Sequence, residues 1–157
     1  MRHKKIHKRK TEPDLNYKSV LVSKFINSLM VDGKKSVAQK VFYNACDLIE
    51  KKDEDPISAF DRAIQNVGPK QEVKSRRVGG ASYQIPVEIR SDRRITLAIR
   101  WIIDASKKKS NKEFHTFSEK LAQEILDASR NQGEAIKKRD TVQKMAETNK
   151  AFSHFRW

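Results

Sequence analysis

The sequence is poor in cysteine, glycine and proline. Its 157 residues include one cysteine, five glycines and four prolines. A single thiol excludes a disulfide within the chain and leaves no cysteine cluster that could hold a metal. Cys46 falls on the apolar face of a predicted helix, so we interpret it as a buried, unreactive thiol.

Motifs of catalysis and cofactor binding are missing as well. None of the four histidines lies in an HExxH spacing, and the chain has neither a GxxxxGK[ST] phosphate loop nor a GxSxG elbow. The acidic run at residues 53–55 is predicted to be a surface loop that caps a helix, not a site for two metal ions. We therefore expect a protein that is not an enzyme and that uses no cofactor and no metal.

The chain also lacks an apolar run long enough to span a bilayer, and its start lacks the apolar stretch of a signal peptide. We therefore expect no membrane partner. A lone free thiol fits a reducing compartment, and we expect one that contains nucleic acid.

Acidic residues are scarce relative to basic ones. Lysine and arginine number 34 against 20 aspartate and glutamate residues, which gives a net charge of +14. Such an excess favours a polyanionic partner, either nucleic acid or an anionic membrane surface, because the bound counter-charge relieves the self-repulsion of the chain. The length fits one domain over residues 1–157, with enough chain to build a core.

Apolar residues recur at helical spacing in six segments. The segments cover residues 19–30, 35–51, 56–67, 92–107, 116–130 and 134–148. Asp55 and Pro56 are predicted to begin the third helix, because aspartate caps helices and proline suits the first helical position. Gly33 is predicted to end the first helix in a left-handed conformation.

The fourth helix is apolar on most sides, so we predict that it is the central helix of the core, with Trp101 buried. Ser91 and Asp92 are predicted to cap it. The lysines at residues 107–109 follow at its C-terminal end. They either complement the helix dipole or bind phosphates, and the sequence does not favour one of these interpretations.

Residues 71–90 carry a different pattern. Tyr83, Ile85 and Val87 alternate with polar residues or proline, and a period of two is typical of a strand with one apolar face. Gly79-Gly80 allows a tight reversal before this strand. We predict a mainly α fold: a single-domain bundle of six helices, with a two-stranded β-hairpin protruding between the third and fourth helices.

Basic residues cluster where phosphate binding is expected. Lysine and arginine side chains neutralise phosphates and release counterions, which gives affinity independent of nucleotide sequence. The basic N-terminal arm, residues 1–17, could instead be a solubilising tail, and the hairpin arginines could be a solvated face. The predicted nucleic-acid-binding residues are Arg2, Lys4, Lys5, Lys8, Arg9, Lys10, Lys34, Lys35, Lys74, Arg76, Arg77, Gly79, Gly80, Arg93, Arg94, Lys137 and Lys138.

Aromatic side chains are candidates for stacking on unpaired bases. Three of them belong to the C-terminal tail, residues 149–157, and the fourth lies in the predicted hairpin. The candidates are Tyr83, His154, Phe155 and Trp157.

The run VKSRRVGG at residues 73–80, followed by YQIPVE at residues 83–88, resembles the signature of the bacterial-type small-subunit ribosomal protein seven family. LMVDGKK at residues 29–35, AIRWI at residues 98–102 and the closing HFRW at residues 154–157 are similar to further parts of that family. The resemblance covers essentially the full length, and its central motif is long and specific.

This resemblance implies a structural constituent of the small ribosomal subunit with a six-helix body and a protruding hairpin. It implies a primary binder of small-subunit ribosomal RNA, in the 3′ major domain, that nucleates assembly of the subunit head. It also implies a place beside the tRNA exit site and the messenger RNA exit channel, with small-subunit proteins nine and eleven as neighbours. The implied location is a cytoplasmic ribosome, with an organelle ribosome as the alternative.

Carried over by position, the RNA contacts are the basic arm, Lys34, Lys35 and basic residues of the hairpin. The arm departs from the arginine-rich start of the family, although its charge agrees. Asp92 also departs from the family pattern, so the resemblance assigns an RNA contact to Arg94 more firmly than to Arg93.

The residues by themselves leave other functions open. A DNA-bending architectural protein also combines a helical body with basic β-arms, but such arms carry an apolar wedge near the tip and pair in a dimer. Pro86 lies midway along the predicted second strand, and no dimer seam is evident. An RNA-acting enzyme is disfavoured by the missing motifs. Repression of the protein's own messenger RNA would use the same basic surface.

Overall fold

The computed structural model describes residues 11–155, and its architecture confirms the predicted fold class. Six α-helices form the body, a two-stranded antiparallel hairpin lies between the third and fourth, and a short 3₁₀ helix follows the sixth. The elements are α1 Val20–Leu29, α2 Lys35–Glu50, α3 Pro56–Val67, β1 Gln71–Val78, β2 Ala81–Glu88, α4 Ser91–Lys108, α5 Phe117–Ser129, α6 Glu134–Thr148 and the 3₁₀ helix Lys150–Phe155.

Polar side chains begin several of these helices. The Asp55 carboxylate accepts the Ser58 N–H at 3.0 Å at the start of α3, as predicted. Thr116 and Glu119 form a reciprocal capping box at the start of α5. Each cap satisfies N–H groups that have no partner within the helix, which stabilises the helix by about 1 kcal/mol.

Two predicted helix boundaries are wrong. Helix α1 ends at its C-cap Met30, so Gly33, at φ 74°, lies in the following turn and does not cap the helix. Helix α4 already includes Ser91, and its N-cap is Arg90, which makes no side-chain capping bond. Asp92 instead lies in the first turn, where its charge is favourable to the positive end of the helix dipole.

Three phenylalanines form the centre of the core. The rings of Phe25, Phe42 and Phe60 are buried, with centroids 5.2 to 5.5 Å apart. Burial of each such side chain contributes about 1.5–3 kcal/mol. Trp101 is buried in the same cluster, as predicted.

Cys46 is also buried among the apolar residues of α2. Burial raises the pKa of its thiol to about 11, although a hydrogen bond with Tyr17 opposes the rise. The thiol is therefore protonated at neutral pH, which fits the predicted unreactive role.

Helix α5, not α4, buries the larger share of its residues. Eight of its 13 residues are buried, against eight of the 18 residues of α4. The sequence pattern did not indicate this because Lys120 and Glu124, which are normally surface residues, lie inside. Lys120 is satisfied by the Lys109 carbonyl at 2.7 Å and by the Asn111 side chain.

Glu124 is the most deeply buried charged residue of the described chain, with no exposed surface. Its Oε1 accepts the Ala135 N–H at 3.0 Å, and its Oε2 lies 3.0 Å from the Lys109 ammonium. Asp127 lies 2.8 Å from the same ammonium. Burial lowers the pKa of Lys109, but the bonds to Asp127 and Glu124 outweigh this and raise it above its ordinary value.

The hairpin is fixed at its base and exposed at its tip. Ile85 and Pro86 are buried on opposite faces of β2, and α6 packs against both strands. The Phe152 ring of the 3₁₀ helix packs on Tyr83, with centroids 5.1 Å apart. The C-terminal segment therefore supports β2 along part of its length.

The start of the described chain packs on α2. Asp14 is buried and accepts a hydrogen bond from the Tyr43 hydroxyl at 2.9 Å. Asp14 and Tyr17 of the predicted arm thus pack on the body, whereas Leu15 is exposed. No helix within residues 11–155 has the length and apolar character needed to cross a membrane.

Replacing Lys109 with methionine should destabilise the protein by about 3–5 kcal/mol, because Glu124 would remain buried as an unpaired charge. The double variant Lys109→Met/Glu124→Gln should be more stable than Lys109→Met alone, because the buried charge is removed with its partner. Urea titrations followed by circular dichroism measure both. Equal unfolding free energies for the two variants would contradict the assigned ion pair.

Candidate nucleic-acid interface

The hairpin tip is a two-residue turn in the left-handed backbone region, which favours glycine. Gly79 and Gly80 have φ values of 57° and 93°, and positive φ at both positions matches the right-handed twist of the strands. The Cβ atom of an added side chain would meet no neighbour at either glycine, so backbone conformation and not crowding requires them. Arg76 and Arg77, just before the turn, are exposed.

The two tip arginines point to opposite faces of the hairpin. Arg76 pairs with Tyr83 across the strands and Arg77 pairs with Ser82, so successive residues alternate between the faces. The tip therefore presents a guanidinium on each side. A nucleic-acid strand on either face can meet one of them.

At the base of the hairpin, a carboxylate holds two of the predicted RNA-binding residues. Glu72 accepts two hydrogen bonds from Arg93, each 3.1 Å long, and lies 3.3 Å from the Lys74 ammonium. Burial raises the pKa of the Glu72 carboxyl, but Arg93 and Lys74 outweigh it and hold the pKa below its usual value. Both cations remain more than half exposed and keep donors for a phosphate.

Arg94 faces inward instead. Its Nε donates to the Gly68 carbonyl at 3.0 Å and its Nη2 donates to the Gln65 carbonyl at 3.1 Å. These carbonyls end α3, so the guanidinium fixes the start of α4 to the end of α3. Arg94 thereby sets the angle at which the chain enters and leaves the hairpin.

Gly68 is required by this contact. A Cβ atom at Gly68 would lie 2.7 Å from Arg94 Nε and 2.8 Å from Arg94 Cγ. The glycine therefore serves close approach, not an unusual backbone angle.

Lys34 lies in the turn between α1 and α2, and Lys35 is the first residue of α2. Asp32 and Gly33 both adopt positive φ, and the Lys34 N–H donates to the Val31 carbonyl at 3.1 Å. Helix α2 then begins without a side-chain cap and without an acidic residue in its first turn. The exposed lysines thus stand beside the positive end of the helix dipole.

One face of α4 connects these two regions, and this was missed from the sequence. Arg93, Arg100 and Lys107 recur every seven residues and are exposed; we call them the α4 ridge. Arg93 binds Glu72 at the hairpin base, and Lys107 lines a groove together with Lys34. The ridge spans about 21 Å at 1.5 Å per residue. The seven-residue spacing was the signal that would have revealed it.

The three lysines at the end of α4 differ in their exposure to solvent. Lys107 and Lys108 are exposed, whereas Lys109 turns inward to Glu124 and Asp127. Lys109 therefore pairs with carboxylates of α5, a role that neither interpretation of the sequence included. Lys109 is structural, and Lys107 extends the basic surface.

The basic patch of α6 is less free than its sequence indicates. Lys137 pairs with Glu134 at 2.6 Å, and Lys138 lies 3.7 Å from Asp104 and over the Trp101 ring. Arg139 donates to the Asn66 carbonyl at 2.7 Å and anchors α6 to α3. Lys137 and Lys138 remain exposed, so they can still contribute charge at the edge of the surface.

The other predicted RNA-binding residues lie outside the described part of the chain. They are Arg2, Lys4, Lys5, Lys8, Arg9 and Lys10. Trp157 lies outside it as well. Within residues 11–155, no group of three or more histidine, cysteine, aspartate or glutamate side chains could hold a metal ion.

The fold and this surface define a class of protein: a helical body with a basic hairpin, whose exposed positive charge suits a polyanionic partner. Residues 1–150 match the family model described as ribosomal protein S7p/S5e. The chain belongs to this family of structural, non-enzymatic proteins of the small ribosomal subunit.

Relatives match along nearly their whole length. The small ribosomal subunit protein uS7 of Desulfotalea psychrophila is 56% identical over 158 residues, covering 99% of both chains. The protein of the same name from Nitratiruptor is 55% identical over 159 residues, covering 100% of both. That of Syntrophus aciditrophicus is 54% identical over 157 residues, covering 99% of both.

Replacing Gly68 with alanine should destabilise the protein by about 1–3 kcal/mol, because the new Cβ displaces the Arg94 guanidinium. In an Arg94→Ala background the same replacement should cost less, because the crowding atoms are gone. Urea titrations of the wild type, both single variants and the double variant measure this coupling. Additive effects of the two substitutions would show that Gly68 and Arg94 do not depend on each other.

Proposed function

We propose that this protein is a primary binder of small-subunit ribosomal RNA and that it nucleates assembly of the subunit head through the 3′ major domain. The observation that carries the proposal is the row of exposed cations that runs from the hairpin, along the α4 ridge, to Lys34 and Lys35. A surface of this length contacts several phosphates at once. Its excess positive charge supplies affinity before any other protein has bound.

The residues of this surface divide into fixed and free donors. Arg93 and Lys74 are oriented by Glu72 at the hairpin base, so they bind a phosphate with little loss of side-chain freedom. Arg77 and Lys35 are exposed without such fixing. We assign the fixed donors to ribosomal RNA helices. The free donors are assigned to contacts in which the side chain adjusts its conformation to the RNA.

The hairpin tip is the element that reaches farthest from the packed base. We propose that it approaches tRNA at the exit site, beside the channel through which messenger RNA leaves. Its glycines permit close backbone approach, and Arg76 and Arg77 supply charge on both faces. Small-subunit proteins nine and eleven are the proposed protein neighbours, and the ribosome of the cytoplasm is the proposed location.

No observation favours a DNA-bending role. An architectural arm needs an apolar wedge near its tip. In the described hairpin, Pro86 is buried at the base, and the turn consists of Gly79 and Gly80. Binding of the protein's own messenger RNA would use the same surface and therefore falls within the proposal.

The variant Lys34→Ala/Lys35→Ala should bind small-subunit ribosomal RNA more weakly, because both lysines lie in the proposed surface. The slope of log K against log salt should become shallower by about 1.4–1.8. The matched control is Lys51→Ala/Lys52→Ala, an equally adjacent pair of exposed lysines that follows the other end of α2. Filter binding across a salt series measures both. Equal losses in the two variants would show that only total charge matters and would contradict the proposed surface.

The full chain should bind naked small-subunit ribosomal RNA without any other ribosomal protein, because a primary binder needs no earlier partner. Chemical probing of the RNA should show protection in the 3′ major domain at the lowest saturating concentration. A requirement for prior binding of another protein would refute the nucleating role while leaving membership of the subunit intact.

A further inference from the structure

A groove beside Lys34 is lined almost entirely by apolar side chains. It lies between the α1–α2 turn, α2, the end of α4 and the start of α5, and it encloses about 320 Å³. Val31 and Val37 are 61% and 54% exposed, although valines are usually inside. The residues that line it are Leu29, Val31, Val37, Ala38, Val41 and Phe117, with Lys34 and Lys107 at its edge.

We propose that this groove receives one unstacked nucleobase of RNA, with the neighbouring phosphates bound by Lys34 and Lys107. The inference rests on the proposed RNA-binding function and adds a site that phosphate contacts alone do not explain. Base faces are apolar and stack on aromatic and aliphatic side chains, and Phe117 supplies an aromatic wall. The phosphates on either side of a splayed base need cations, and the groove has a lysine from α4 and a lysine from the α1–α2 turn.

The size and charge of the groove favour a base over a protein helix. A helix in a groove uses several anchors along two or more turns. A space of about 320 Å³ lies at the lower end of the range for small-ligand pockets, roughly 300–1,000 Å³. Lys107 is also the last member of the α4 ridge, so an RNA strand that follows the ridge arrives at the groove.

The test compares two single-stranded RNA oligomers of equal length and charge. One is a nine-residue oligoadenylate, and the other has abasic sites at its three central positions. Fluorescence anisotropy with the full chain measures both affinities at one salt concentration. The wild type should prefer the base-containing oligomer about tenfold, because one well-stacked base contributes that much.

The variant Val37→Gln puts a longer, polar and uncharged side chain into the groove and leaves the lysines in place. It should lower the preference to about onefold to twofold while leaving the affinity for the abasic oligomer unchanged. The matched control is Val20→Gln, at an exposed valine on α1 that does not line the groove. It should retain the full preference. Val37→Ser, which opens the groove without adding bulk, provides the second variant, and it should lower the preference as well.

Two results would overturn the proposal. One is a base preference that is absent in the wild type or unchanged in Val37→Gln and Val37→Ser. The other is obtained with an acidic amphipathic helical peptide: if it binds the wild type but not Val37→Gln, and does not compete with the oligomers, the groove serves a protein partner. Either result leaves the proposed function standing, because that depends on the salt titration of Lys34→Ala/Lys35→Ala.

Discussion

The buried carboxylate of Glu124 joins the helices on which the basic surface is built. Its Oε1 accepts a hydrogen bond from the N–H of Ala135, the second residue of α6. Its Oε2 pairs with Lys109, which directly follows α4. Gly133 passes so close that a Cβ atom there would lie 2.9 Å from this carboxylate. Because α6 supports both hairpin strands, the position of the hairpin depends on an ion pair inside the bundle.

The fold divides the lysine and arginine side chains into two groups, those that face inward and those that face solvent. Lys109, Lys120 and Arg94 turn inward and bind carbonyls or carboxylates of the body. They hold helix ends in place, and water does not screen them as it screens surface charges. Arg139 likewise anchors α6 to α3. Of the exposed cations in residues 11–155, those of the hairpin, the α4 ridge and the start of α2 form the surface proposed to bind RNA. A net charge of +14 therefore overstates the number of free phosphate donors.

The α4 ridge shows how the structural and functional residues share one helix. Trp101 and its apolar neighbours pack into the core, while Arg93, Arg100 and Lys107 face outward at seven-residue spacing. The apolar character of α4 led to its prediction as the central helix. In fact α5 is more deeply buried. Its charged residues Lys120 and Glu124 can lie inside the fold because both have hydrogen-bond partners there.

The sequence by itself determined the element order, the hairpin with its glycine turn, the sign of the partner's charge and the resemblance to a ribosomal family. These follow from local features: periodicity, turn chemistry and composition act over a few residues, and motifs are read directly. Only the tertiary structure decided which cations are free. Arg94 and Arg93 are adjacent in sequence, yet one fixes α3 and the other faces solvent beside Glu72. That difference depends on where distant carbonyls and carboxylates lie, and local patterns carry no such information.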